Sequence, residues 1–261
     1  MAEQGTIKRF HNYNNTMRRF YIEPKEIRDN VAVISGDEAR HVCKVLRLGC
    51  HDQLQLFDCH GTTYDAVITE VFTDHVNVRI EATHPGDAEP AEIVLCQALL
   101  KSDSMKTVMQ KSTELGVTRI VPFKAERSIP KWNDSKAAER VSQWQRVVNA
   151  AVKQSGIRRP PVVAPVQSFA AMLDEPFEGF CKFILWEEER NTGLQQALGA
   201  QQRLERVVVV CGPEGGFPET EIISAKKKGF VPISLGKYIL RAETAPVAVL
   251  AALRYAMGLF G

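Results

Sequence analysis

Val207-Val208-Val209-Val210-Cys211-Gly212-Pro213-Glu214-Gly215-Gly216-Phe217 is the stretch on which the fold turns. Four valines in a row suit a strand buried on both faces. The glycines after them permit positive φ and close approach of a ligand to the backbone. Pro218–Lys228 then reads as a helix, with Glu219 and Glu221 in its first turn, three lysines in its last and Gly229 behind it, an order that complements the helix dipole. The pattern repeats: the apolar run Phe230–Leu235 leads into Leu235-Gly236-Lys237-Tyr238-Ile239-Leu240-Arg241-Ala242-Glu243-Thr244-Ala245 and a last helix. A strand, a glycine loop and a helix start present backbone N–H groups at the carboxyl edge of an α/β sheet. Two such loops in succession predict one pocket built from both.

Working back from these loops, residues 91–261 alternate strand and helix. Strands are expected at Ile93–Leu99, Ile120–Phe123, Pro161–Val166, Phe183–Trp186 and Val207–Val210. Helices are expected at Asp103–Leu115, stopped by Gly116, and at Ser135–Gln154, stopped by Gly156. In the second of these, Ala138, Val141, Trp144, Val148 and Ala151 fall at helical spacing. Short helices follow at Phe169–Leu173 and Leu194–Leu198. The last helix, from Thr244 to about Leu259, is apolar on most sides and must be buried, against the sheet and against a partner subunit. This alternation implies a mostly parallel sheet with helices on both faces.

Residues 17–86 read differently. Arg19–Ile22, Val31–Ile34, Gln53–Phe57, Thr62–Val71 and Val76–Ile80 are short strand-like runs separated by turn residues. Such spacing suggests a small barrel, interrupted by one or two helical turns at Asp37–Leu46. His84-Pro85-Gly86-Asp87-Ala88-Glu89-Pro90 is the linker and places the domain boundary. Residues 1–16 are polar and asparagine-rich, and read as a disordered extension or an expression remnant.

The chain's 261 residues, 44% hydrophobic and 25% charged, allow one large domain or two modest ones. A net charge of +2 is too mild to argue for nucleic acid by itself. The six cysteines form no C-x-x-C, and three lie in apolar runs, which points to a reducing, cytoplasmic setting. No apolar stretch reaches the ~18 residues of a membrane span, and residues 1–16 lack the apolar segment of a signal peptide. His41, Cys43, Cys50, His51, Cys59 and His60 match no metal spacing, so no metal is expected.

Each candidate site has two readings. Gly212-Pro213-Glu214-Gly215-Gly216 is neither a Walker loop nor G-x-G-x-x-G; it is a ligand cradle or a tight connector. Arg241 could hold a carboxylate or a developing oxyanion with its fork of donors, or form a staple with Glu243. Arg18, Arg19, His41, Lys44 and Arg47 form a phosphate-binding face or a solvated one. Trp186 flanks a flat ligand or belongs to the core, and Glu187 is the one member of the following acidic run expected to face the pocket.

Taken together, the two loops resemble those of the knotted SPOUT methyltransferases. The nearest likeness is to the bacterial family that methylates N3 of a uridine in 16S ribosomal RNA. Arg19-Phe20-Tyr21, His41-Val42-x-Lys44-Val45-Leu46-Arg47, Gln110–Val117 and Glu126-Arg127-Ser128 carry the likeness over the rest of the chain, from Met17 onward. The resemblance implies a PUA-like β-barrel over 17–86 and an α/β domain with a deep trefoil knot over 91–261. It implies a homodimer and S-adenosylmethionine held by Leu185, Gly212, Pro213, Glu214, Gly215, Gly216, Leu235, Gly236, Ile239, Leu240, Arg241 and Thr244. Arg241 and Glu243 are the expected catalytic pair, with Glu214 the other possible proton acceptor. Arg18, Arg19, His41, Lys44 and Arg47 are the expected contacts to 16S ribosomal RNA within the small ribosomal subunit. The rival readings are a SPOUT enzyme acting on tRNA or a ribose 2′-oxygen, and an RNA-binding protein without catalysis. The chain departs from the family pattern at Lys237-Tyr238, where proline and arginine are usual, at Ala242 in place of threonine, and at Pro246.

Overall fold

The computed structural model describes residues 18–58, 60–86, 91–155, 157, 159–201 and 204–260. The extension expected at 1–16, residues 87–90 of the expected linker and the expected helix stop at Gly156 lie outside them. The described residues form two compact units, one of 18–58 with Thr62–Pro85 and one of 60–61 with 86–260.

The first unit is a six-stranded sheet. Its strands are β1 (Arg19–Tyr21), β2 (Ile27–Arg28), β3 (Val31–Ser35), β4 (Gln53–Phe57), β5 (Thr63–Val71) and β6 (His75–His84). The sheet order is β1-β4-β5-β6-β3-β2, antiparallel except where β1 runs parallel to β4. Period-two alternation builds it: Ala32 and Ile34, Leu54 and Leu56, and Val76, Val78 and Ile80 all point inward, where they meet Phe20 and Val42. Asp37–Leu46 resolves into a helix, α1 (Gly36–Arg40), that passes directly into a π-helical turn at His41–Val45. β2, only two residues long, carries no readable sequence pattern. β6 outruns its expected end at Ile80 because its polar end still pairs with β5, where His84 Nε2 lies 2.7 Å from Asp65 Oδ2.

The second unit contains β7 (Glu92–Ala98), α2 (Ser102–Glu114), β8 (Arg119–Lys124), α3 (Asp134–Ser155), β9 (Val162–Val163), β10 (Gln167–Ser168) and α4 (Phe169–Leu173). β11 (Cys181–Leu185), α5 (Leu194–Gly199), β12 (Arg206–Cys211), α6 (Glu219–Lys227), β13 (Val231–Ile233) and α7 (Thr244–Ala256) follow. The sheet order is β10-β8-β7-β12-β11-β13, with β9 also on β8, and all these pairings are parallel. The valine run is explained by two cores. Val207 and Val209 face one, with Met105 and Val108 of α2, Trp144 and Val148 of α3, and Val249, Leu250 and Leu253 of α7. Val208 and Val210 face the other, with Phe169 and Met172 of α4 and Ile222 of α6. All four valines are fully buried, and each such burial contributes about 1.5–3 kcal/mol.

Three expectations need correction. Ala138 is exposed, and Ala137 takes its place in the buried face of α3. Pro161–Val166 is not one strand: Pro161 and Pro165 lack the N–H a ladder needs, leaving β9 and β10 as two-residue pieces. α7 stops at Ala256 rather than Leu259, because Gly258 turns left-handed (φ +68) and Leu259 N–H donates back to the Arg254 carbonyl. Tyr255, still within α7, is 79% exposed. Pro246 does not break α7, since it occupies the first turn, where an N–H would lack an intrahelical partner anyway. The buried thiols of Cys96 and Cys211 are pushed well above the usual range by burial and act as small apolar groups. No helix among the described residues is long and apolar enough to cross a membrane.

Candidate functional site

Because the strands of the second unit are parallel, their carboxyl ends share one edge. The chain order reverses across the β7–β12 pair, where an open α/β sheet leaves a crevice. Four segments leave the edge here: Leu99–Ser104 after β7, Trp186–Arg190 after β11, the first glycine loop after β12 and the second after β13. They enclose a cavity of about 660 Å3, within the ~300–1,000 Å3 range of small-ligand sites.

The cavity brings together nearly all the residues expected there. Leu185, Gly212, Pro213, Glu214, Gly215, Gly216, Leu235, Gly236, Ile239, Leu240, Arg241 and Glu243 all line it. Thr244 does not; it opens α7, its N–H donating to the Arg241 carbonyl. Ile239 is 82% exposed, so it stands at the mouth, while Leu185 is buried in the wall. Trp186 packs on the second core and also lines the cavity.

The first loop is held from three sides. Gln97 is wholly buried, and its Nε2 donates to the Gly212 carbonyl at 3.3 Å. Lys101 N–H donates to Glu214 Oε1 at 3.0 Å, which ties that carboxylate to the start of α2. Arg127 Nη1 donates to the Gly215 carbonyl at 3.1 Å. Lys101, Ser104 and Arg190 also line the cavity and were missed in the sequence. Their signal was their place just past a strand's carboxyl end. Gln97 was missed because a glutamine inside a strand looks like any solvated residue until its burial is known.

Arg241 and Glu243 approach each other, but loosely. Nη1 lies 4.0 Å from Oε1, and the arginine side chain is 86% exposed. A pair so exposed is worth about 0–1 kcal/mol, so Arg241 can leave it for a ligand at little cost.

Glu221 holds the segment that carries Arg127. Buried in the first turn of α6, it accepts the Glu126 N–H at 3.0 Å, while its Oε2 has no partner among the described residues. Burial pushes its carboxyl up; the Glu126 N–H opposes this, the nearby Glu126 charge adds to it, and Arg127 opposes it. A carboxyl that titrates higher in the folded chain favours folding while protonated. That contribution is complete below the ordinary glutamate value of about 4.3 and fades as pH rises through the raised one. Glu221→Gln mimics the protonated form. Its melting temperature relative to the parent chain is therefore expected to climb as pH rises above about 4.3, as thermal melts at a series of pH values would show. A difference independent of pH would remove this role.

In the first unit, the five expected RNA contacts do not share one face. Arg18 Nη1 donates to the Leu46 carbonyl at 3.4 Å, and His41 meets the edge of the Phe20 ring at 6.0 Å, so both stand beside the turn that carries Lys44 and leads into Arg47. Arg19 alternates to the other side of β1, where its guanidinium lies 5.0 Å from the centre of the Phe57 ring.

A family model described as the RNA methyltransferase domain matches residues 87–254, and one described as the RNA methyltransferase PUA domain matches residues 34–81. The chain is 31% identical to the ribosomal RNA small subunit methyltransferase E of Bacillus subtilis, over 92% of this chain and 96% of that one. Among solved structures, the same-named Neisseria gonorrhoeae protein, bound to S-adenosylmethionine, is 34% identical with a TM-score of 0.81, covering 92% of this chain and 97% of that one. A Legionella pneumophila methyltransferase solved with bound S-adenosylmethionine is 32% identical with a TM-score of 0.84, covering 92% and 98%. Sharing both halves and nearly its whole length with these proteins, the chain belongs to the ribosomal RNA small subunit methyltransferase E family.

Proposed function

We propose that the protein is an S-adenosylmethionine-dependent methyltransferase that modifies N3 of a uridine in 16S ribosomal RNA. The observation that carries this reading is the convergence of both glycine loops on one cavity in a chain of this family. The residues present fit the cofactor. Leu185, Leu235 and Leu240 offer apolar walls for a flat ring, and Glu187, Glu214 and Glu243 suit a ligand that carries positive charge. Gly216 keeps a space next to Glu187 that any side chain would fill.

When bound, S-adenosylmethionine supplies the electrophilic methyl group. The protein's part is to place the uracil and to bear the charge that develops on it. Loss of the N3 proton spreads negative charge onto the flanking carbonyl oxygens. Arg241, exposed and weakly held, would turn its donors toward them, and a fixed donor is worth most in a closed, dry site. Glu243 orients Arg241 or takes the proton. Glu214 is the weaker candidate for that step, because its carboxylate is engaged with the Lys101 N–H. The target base must be unpaired or flipped for its N3 to be reached. Arg18, His41, Lys44 and Arg47 would grip the phosphate backbone of the RNA, with Arg19 on a separate face.

This reading includes a deep trefoil knot and a homodimer. The knot is supported by the path of the last segment: β13 lies at the sheet's edge, yet α7 returns to α2, where Arg254 Nη1 donates to the Leu115 carbonyl at 3.2 Å. The dimer is supported by α7 itself, whose Val247, Ala248 and Ala251 remain only half-buried beside the exposed Tyr255.

The test offers labelled S-adenosylmethionine with small ribosomal subunits lacking the mark, bare ribosomal RNA and tRNA, followed by mass spectrometry of the nucleosides. N3-methyluridine in the ribosomal RNA is the expected product. Label only in tRNA, or as a 2′-O-methyl nucleoside, would replace the substrate; no label despite cofactor binding would favour a binding protein.

A further inference from the structure

We propose that Tyr238 is the stacking surface for an unpaired RNA base adjacent to the one that enters the cavity. The proposal rests on the RNA methyltransferase reading and names a substrate contact within it.

The second loop turns outward at Gly236, whose φ of +114 is open only to glycine. The next three residues are thrown clear of the sheet edge. Tyr238 is 74% exposed and Ile239 82%, side by side at the mouth of the cavity. Lys237 Nζ sits 4.9 Å from the centre of the Tyr238 ring. A cation over one face leaves the other open, and it polarises the ring in favour of stacking with a base. Aromatic rings that present a free face are the usual means by which proteins hold single-stranded bases, independent of sequence.

Charge around the ring favours RNA as the occupant. Lys101, Arg190, Lys237 and Arg241 outnumber Glu187, Glu214 and Glu243 by one in the lining of the cavity, and these cations would accompany a phosphate backbone to its mouth while the carboxylates face the cofactor. The position of the ring selects the base. Tyr238 stands three residues before Arg241 on the same loop and both side chains are exposed along the cavity, so a base held by Arg241 leaves its neighbour in the RNA within reach of the ring. The resemblance leads one to expect proline and arginine at positions 237 and 238. Here the lysine supplies the charge and the tyrosine the plane.

The test compares Tyr238→Ala and Tyr238→Phe in the full-length protein. The readouts are KM for ribosomal RNA, kcat at saturating RNA, the dissociation constant of S-adenosylmethionine and the oligomeric state by light scattering. Loss of a stacked base raises KM roughly 10- to 100-fold in Tyr238→Ala, while kcat and cofactor affinity stay within about twofold. Tyr238→Phe, which keeps the ring, holds most of the RNA affinity. With the shortest RNA that the protein methylates, an abasic nucleotide beside the target weakens the parent protein but adds nothing to Tyr238→Ala. The proposal is overturned if KM is unchanged in Tyr238→Ala, if both substitutions lose equally, if only cofactor affinity falls, if the dimer dissociates, or if the abasic and alanine losses simply add. A parent protein that methylates no RNA would instead overturn the functional reading, and this contact with it.

Discussion

Arg241→Ala is expected to lower kcat for ribosomal RNA by about 10²- to 10³-fold, the loss seen when one preorganised donor to a developing oxyanion is removed. Cofactor affinity should change little, since the loops still close the cavity through Leu185, Gly212 and Leu235. The structure suggests why the effect falls on turnover and not on folding. The Arg241 side chain is 86% exposed, and its contact with Glu243 spans 4.0 Å, so the folded chain loses almost nothing when it goes. Arg241→Lys keeps the charge but not the planar fork, and should fall between the parent and the alanine variant. Single-turnover methylation of ribosomal RNA, with cofactor binding measured by calorimetry, separates these terms. If Arg241→Ala turns over within about threefold of the parent, another group bears the charge, and Lys101, on the same cavity, is the next to test.

Both the architecture and the placement of the cavity were legible in the sequence, because each depends on local pattern. A β-branched run with no alternation suits a strand covered on both faces, and Val207 to Val210 divide between two cores accordingly. Glycine after such a strand marks the carboxyl edge, and parallel pairing places all such edges together. What stayed hidden depends on contacts between distant segments. Gln97 and Gly212 are far apart in sequence, and nothing in either announces a hydrogen bond between them. Glu221 reads as an ordinary acid favouring a helix start, yet it is buried and holds the loop of Glu126 and Arg127. Arg19 was placed with the other basic residues because neighbours in sequence look like neighbours in space. Strand alternation sends it to the opposite face, against Phe57.

Gly216→Ala is the second large effect, and it should appear as loss of cofactor binding. Gly216 has φ +67, a left-handed conformation that costs alanine about 1–2 kcal/mol. Its added Cβ would also overlap the Glu187 carboxylate, forcing that side chain to swing inside the cavity. The neighbouring glycines leave the loop little room to yield: a Cβ at Gly215 would lie 3.1 Å from the Arg127 Cβ, and one at Gly212 would lie 3.0 Å from the Phe217 ring. Strain and overlap together predict at least a 10-fold weaker dissociation constant for S-adenosylmethionine, since each 1.4 kcal/mol is a factor of ten. Melting temperature should fall by only a few degrees, because the change sits at the sheet's edge and leaves both cores intact. Gly193→Ala is the control. Gly193 has φ −79, and a Cβ there meets nothing within 4 Å, so cofactor calorimetry should match the parent, while the melting temperature falls slightly because alanine caps α5 less well than glycine. Should Gly216→Ala bind cofactor as tightly as Gly193→Ala, the first loop would be a connector between β12 and α6 and not part of the cradle, and the cofactor's hold would have to come from the second loop alone.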